Sequence, residues 1–131
     1  AILYDWEFKL EIDDLVFTDA YRGFNPYSGV EYVYKKNHDI PIWFCDYIGY
    51  VNQDINISSG EVYNFLKEGR KKHLDGSKDD LFSNYTYERD ILKYKTSFTG
   101  DLSSLLQIED IYYKEQLVAK QISAGRLKEK E

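Results

Sequence analysis

Residues 8–21 read FKLEIDDLVFTDAY and residues 85–98 read YTYERDILKYKTSF. In the first stretch Trp6 to Ile12 alternates apolar and charged residues, the period-two signature of a strand with one wet face. Asp13-Asp14 turns the chain, and Leu15 to Tyr21 returns as a second strand. Shifted by 77 positions, Asp13 falls on Asp90, Leu15 on Leu92, Phe17 on Tyr94, Tyr21 on Phe98 and Gly23 on Gly100. One extra loop residue in the second copy makes the shift 78, which sets Glu31 on Glu109, Val33 on Ile111, Tyr34 on Tyr112 and Lys36 on Lys114. Past the next turn Ile40 meets Leu117, Cys45 meets Ile122 and Gly49 meets Gly125. An ordered series of this kind, with gaps only in turns, marks an internal repeat.

The rest of the chain fits around that repeat. Arg22 to Gly29 is rich in Gly, Asn, Pro and Ser, which is loop chemistry. Val30 to Lys35 and Ile40 to Tyr50 read as a hairpin, with Pro41 at an edge or bulge because it cannot donate to a ladder. Ser58-Ser59-Gly60-Glu61 is a capping box that opens one helix. Val62, Phe65, Leu66 and Leu74 form its apolar stripe, and Lys67, Glu68, Arg70, Lys71 and Lys72 its wet side. The Arg-Lys-Lys run suits the negative end of the helix dipole, as does His73. The expected fold is therefore α+β: a mainly antiparallel sheet or partly open barrel of about eight strands, with one helix between two pseudo-symmetric repeats. The expected layout is a single domain over residues 1–131, with repeats at about 6–50 and 84–127 and the helix at about 59–74.

Composition narrows the function. The net charge of −6 repels phosphate backbones, so direct nucleic-acid binding is not expected. One Cys and two His are too few for a structural zinc site or an internal disulfide. No apolar run has the length of a membrane span and no signal pattern opens the chain, which points to the cytoplasm. The start at Ala1 rather than Met leaves room for a preceding domain. With 13 Tyr, 7 Phe and 2 Trp, the aromatic rings suit half-buried strand positions and contact surfaces alike.

The segments Gly29-Val30-Glu31-Tyr32-Val33-Tyr34 and Pro41-Ile42-Trp43-Phe44-Cys45-Asp46-Tyr47-Ile48-Gly49 carry a resemblance, as do Gly100-Asp101 and Ile108 to Tyr112. They resemble a bacterial domain family of unknown function that occurs alone or appended to helix-turn-helix transcriptional regulators. Its pattern is G-x-E-x-V-Y, then P-V-W-x-M-N-Y-Y-G, a helix, and a weaker second half. Phe44-Cys45-Asp46 departs from it. The resemblance implies sensing or regulation by association.

Glu31 and Glu109 occupy equivalent places, so they form either an acid/base or ligand-binding pair, or two braces that accept from the backbone N–H groups of the preceding loops. Tyr21, Arg22, Trp43 and Tyr47 are expected to line a pocket between the repeats, Arg22 holding an anion in a forked bond. Cys45 lies between bulky neighbours and is expected to be buried and inert. No catalytic set, metal site or cofactor motif has the spacing such chemistry needs. The function expected is a non-catalytic binding or regulatory module for a small molecule or protein partner. The alternatives are an acidic inhibitor or immunity-type protein covering a basic site, and a hydrolase or transferase using a carboxylate pair.

Overall fold

The computed structural model describes residues 3–52, 56–77 and 79–129. Eight strands and one helix follow in order: β1 (Trp6–Ile12), β2 (Leu15–Gly23), β3 (Tyr27–Lys35), β4 (Trp43–Val51), α1 (Ser59–Gly76), β5 (Tyr85–Arg89), β6 (Leu92–Asp101), β7 (Ser104–Tyr113) and β8 (Gln116–Leu127). They form one antiparallel sheet in the order β1-β2-β3-β4-β8-β7-β6-β5, an open sheet with β1 and β5 at its edges. Pro41 precedes β4, so its missing N–H costs the ladder nothing.

The repeat is written in the register. Phe8 pairs with Asp19 on β1–β2, and Tyr85 pairs with Thr96 on β5–β6, both ends shifted by 77. Asp19 pairs with Glu31 on β2–β3, and Thr96 with Glu109 on β6–β7. Glu31 then pairs with Cys45, whereas Glu109 pairs with Gln121. Cys45 therefore corresponds to Gln121 and not to Ile122, because a register shift beside Ile111 and Tyr112 takes up one residue before the last strand. At the centre Tyr47 faces Ser123, and the β4–β8 ladder maps onto itself about a two-fold axis between them. The turns repeat too. Asp13 and Asp90 both adopt left-handed backbone, with φ of 52° and 57°, a conformation Asp tolerates better than most residues. Gly23 and Gly100 take φ of 89° and 85° at the end of β2 and near the end of β6, where a Cβ would also strike backbone.

The helix breaks this symmetry. Ser58 caps it, its Oγ accepting from the Glu61 N–H at 3.2 Å and lying 3.3 Å from the Glu61 carboxylate. Val62, Phe65 and Leu66 bury against Tyr94, Ile111 and Val118, so the core lies in the second half, with α1 on β5 and β6 and not across the whole sheet as the repeat suggested. The close fit needs Gly69: a Cβ there would come within 2.3 Å of the Tyr94 ring. His73 is the buried residue of the last turn, and Leu74, expected in the stripe, is 54% exposed. The first half has no such cover. Trp6, Phe8, Leu10 and Ile12 all lie exposed along β1. Among the described residues no helix is long and apolar enough to cross a membrane.

Candidate functional site: two equivalent glutamates, one satisfied and one open

Strand alternation puts one residue of every two on the inner face, and two symmetry-related rows cross the sheet there. The second row runs Thr96, Glu109, Gln121, Gly49 and Tyr27. It is a completed network. Arg70, reaching down from α1, donates through Nε and Nη2 to the two Glu109 oxygens, each at 2.8 Å, and through Nη2 to Gln121 Oε1 at 2.8 Å. Tyr94 donates to Glu109 at 2.6 Å, and Tyr27 donates to Gln121 at 2.5 Å. Glu109 is 3% exposed, and a fork of this kind is how a buried carboxylate is held. Burial pushes the Tyr27 hydroxyl up to about 12 and that of Tyr94 upward too, so both stay protonated donors. Gly49 makes the row possible, since a Cβ would lie 2.2 Å from the Tyr27 ring that crosses it.

The first row runs Asp19, Glu31, Cys45, Gly125 and Leu105. Here the partners are missing. Phe17 stands where the second half has Tyr94, Cys45 where it has Gln121, and Arg70 bonds Glu109 on the other row. The half-buried Glu31 carboxyl has no hydrogen-bond partner among the described residues. Desolvation, then the neighbouring Asp19 charge, push it up to about 7, against a pull from Arg70. Asp19 accepts from the Tyr47 hydroxyl at 2.7 Å. Burial, reinforced by the charges of Glu31, Asp46 and Asp19, lifts the Cys45 thiol to about 12, which fits the expectation of an inert cysteine.

Above this row opens a cavity of about 1360 Å³, bounded by the sheet on one side and α1 on the other. Its aromatic wall is continuous: ring centroids lie 5.3 Å apart for Trp6–Tyr21, 6.4 Å for Tyr21–Tyr27, 6.3 Å for Tyr27–Tyr47 and 5.5 Å for Tyr27–Tyr63. The loop at its mouth is pinned. Asn25 exchanges two side-chain hydrogen bonds with the Val51 backbone, and Tyr63 donates to the Phe24 carbonyl. Trp43 and His73 border the cavity, and their buried Nε1 and Nε2 atoms have no hydrogen-bond partner among the described residues. His73 is 5% exposed, its ring lying against Tyr85 and Phe98.

Of the residues singled out from sequence, Tyr21, Glu31, Trp43, Tyr47 and Glu109 all line this cavity. Arg22 does not. It follows the inward-facing Tyr21, so it points to the other face, where it shares a shallow depression with Ser28 and Asp46. The loop-bracing role is also absent: both glutamates sit in mid-strand, and Glu109 accepts from side chains only. Sequence reasoning missed Asp19, Arg70 and Gln121. Asp19 was within reach, since it alternates with Phe17 and Tyr21 on the same face. Arg70 was hidden in the Arg-Lys-Lys run, although it follows the core residue Leu66 by one helical turn. Among the described residues no group of three or more His, Cys, Asp or Glu side chains is placed to hold a metal ion.

Fold and site together define an α+β protein with a half-covered antiparallel sheet, whose uncovered half carries an aromatic, acidic cavity. The chain belongs to the family described as domain of unknown function DUF5680, whose model matches residues 19–127. No curated protein and no solved structure matches it. The matched span takes in every residue of both inner rows and leaves out β1.

Proposed function

We propose that the chain is a non-catalytic binding module whose cavity holds a small molecule, in a sensory or regulatory role. Glu31 carries the reading. A carboxylate left without a partner in a partly desolvated place weakens a fold, and such groups concentrate at functional sites. The symmetry-related Glu109 makes the point sharper, because the same position in the same sheet is fully satisfied when folding alone is served. A large aromatic recess with a few polar groups is the usual form of a ligand site. The sequence resemblance to domains appended to transcriptional regulators supports the sensory role.

Native mass spectrometry of the protein purified from its own host tests this, paired with amide chemical-shift mapping of whatever is recovered. The expected result is a retained molecule whose shifts centre on Gly29, Cys45 and Gly125. A bare protein mass, with no recovered compound shifting those amides, would retire the proposal. A second reading rests on Asp19 and Glu31 as cross-strand neighbours, with Glu31 held near neutrality: an acid/base pair for hydrolysis or group transfer. It requires the recovered molecule to be consumed by the wild type and spared by Glu31→Gln.

A further inference from the structure

The charges around the cavity say more about what it takes. Among the described lining residues the cations are Arg70 and Lys67. Arg70 gives Nε and Nη2 to three hydrogen bonds with Glu109 and Gln121, and its pull on Glu31 is outweighed by desolvation and the Asp19 charge. Lys67 sits on the exposed side of the helix at the rim, away from the floor. The floor itself presents two adjacent carboxyl groups, Asp19 and Glu31, and neither has a cationic partner. An anionic ligand would meet that pair where the one arginine nearby is already bonded to Glu109 and Gln121. A neutral ligand would cover Glu31 and leave it with still less water. A cation would supply what the second half obtains from Arg70.

The walls agree. Aromatic faces carry negative quadrupole potential and attract cations within about 6 Å of the ring centroid. Phe17, Tyr21, Trp43, Tyr47 and Tyr63 offer such faces to the same space. Their area also favours an apolar or aromatic body attached to the charge.

We infer that the ligand is an amphipathic organic cation, an ammonium or similar group on an apolar or aromatic body, with its charge against Glu31 and Asp19 and its body on the aromatic wall. This rests on the cavity being a binding site, and the test is built so that the two claims fail separately. Three probes are titrated by calorimetry at pH 8: tetraphenylphosphonium, its isosteric anion tetraphenylborate, and the neutral triphenylphosphine oxide, which carries an oxygen in place of one phenyl. The phosphonium is expected to bind at least tenfold more tightly than the neutral probe, and the borate not at all. Glu31→Gln should lose that tenfold preference while holding the neutral probe within twofold, and Asp19→Asn should lose part of it. Trp43→Ala should weaken the phosphonium and the neutral probe alike. Tighter binding of the neutral or anionic probe overturns the cation assignment and leaves the cavity reading standing. A cation preference that survives in both Glu31→Gln and Asp19→Asn also overturns the assignment, because the charge then lies elsewhere. If none of the three probes binds, both claims fall. Melting curves of each variant without probe separate a lost site from a lost fold.

Discussion

Glu31 and Glu109 hold the same place in the same sheet and meet opposite fates. Around Glu109 the helix's Arg70 and Tyr94 supply three hydrogen bonds, Gln121 holds Arg70 in place, and the residues beside it form the core. Around Glu31 the corresponding positions carry Phe17 and Cys45, which offer an aromatic ring and a weak S–H, and the helix's place is taken by open space. One helix cannot cover two symmetric half-sheets, so the half it covers becomes the structural half. The other keeps an inner face of the same geometry with no cover. A repeat built around a single helix thus produces a scaffold and a recess from one pattern. The difference between them lies in the helix cover, one register shift and a few side chains.

The largest expected effect comes from undoing the closed half. Arg70→Met keeps the stem's packing but leaves Glu109 buried with Tyr94 as its only close donor. Removing one partner of a buried ion pair costs about 3–5 kcal/mol, and the lower end applies here because Arg70 is 37% exposed towards the cavity. A melting temperature within a degree of wild type would show that the fork contributes little, and the contrast between the halves would lose its basis.

The open half should respond with the opposite sign. Glu31 is held at about 7 in the fold against an ordinary 4.5, so between those pH values the folded state keeps a proton the unfolded chain has released. Its contribution is therefore fully present below about pH 4.5 and lost as pH rises through 7. At about 1.36 kcal/mol per pH unit the loss would be about 3.4 kcal/mol, and partial access to water brings it to about 1–3. Cys45 on β4 is its cross-strand neighbour, and Asp19 on β2, Arg70 on α1 and Glu109 on β7 also shape its titration. Glu31→Gln should hence match wild type near pH 4 and exceed it by about 1–3 kcal/mol near pH 8. Denaturant melts of both proteins across that range check it. A variant less stable than wild type at pH 8 would mean that Glu31 is satisfied after all.

The repeat, the strand count, the helix and its cap were legible because they follow from local periodicity and turn chemistry. Asp13 and Asp90 announce their turns, and Ser58 with Glu61 announces the helix start. Five of the six residues put forward for the site line the cavity, since aromatic residues near a repeat boundary have few other places to go. What stayed hidden depends on tertiary placement. Nothing in Arg70-Lys71-Lys72 says that the first member turns inward to Glu109 while Lys71 pairs with Asp75 in solvent. Nor does letter matching through the last turn reveal the register shift that makes Gln121, and not Ile122, the counterpart of Cys45. That single slip concealed the network, because a side chain one place along a strand lies on the other face.

The smallest effect offers the sharpest control on the comparison, because it converts one feature of the open half into its counterpart. Phe17 and Tyr94 are equivalent, pairing with Val33 and Ile111, and Tyr94 donates to Glu109 from one step diagonal across the strands. Phe17→Tyr therefore sets a hydroxyl where it reaches Glu31 as Tyr94 reaches Glu109. A donor to the ionised carboxylate favours that form, so the Glu31 titration should move down from about 7 towards the ordinary carboxylate range. The accompanying gain in stability at pH 8 is about 1 kcal/mol, the scale of one added hydrogen bond. Carbon-13 observation of the Glu31 carboxyl across pH reads the shift directly, and the pH profile of denaturant melts reads its energetic side. If the cation inference is right, the new hydroxyl also competes with the ligand for Glu31, and phosphonium affinity should fall severalfold even as the fold grows more stable. An unchanged titration would show that the two halves, equal in backbone register, do not place their side chains equivalently. The account of Glu31 as an unfinished copy of Glu109 would then fail at its first step.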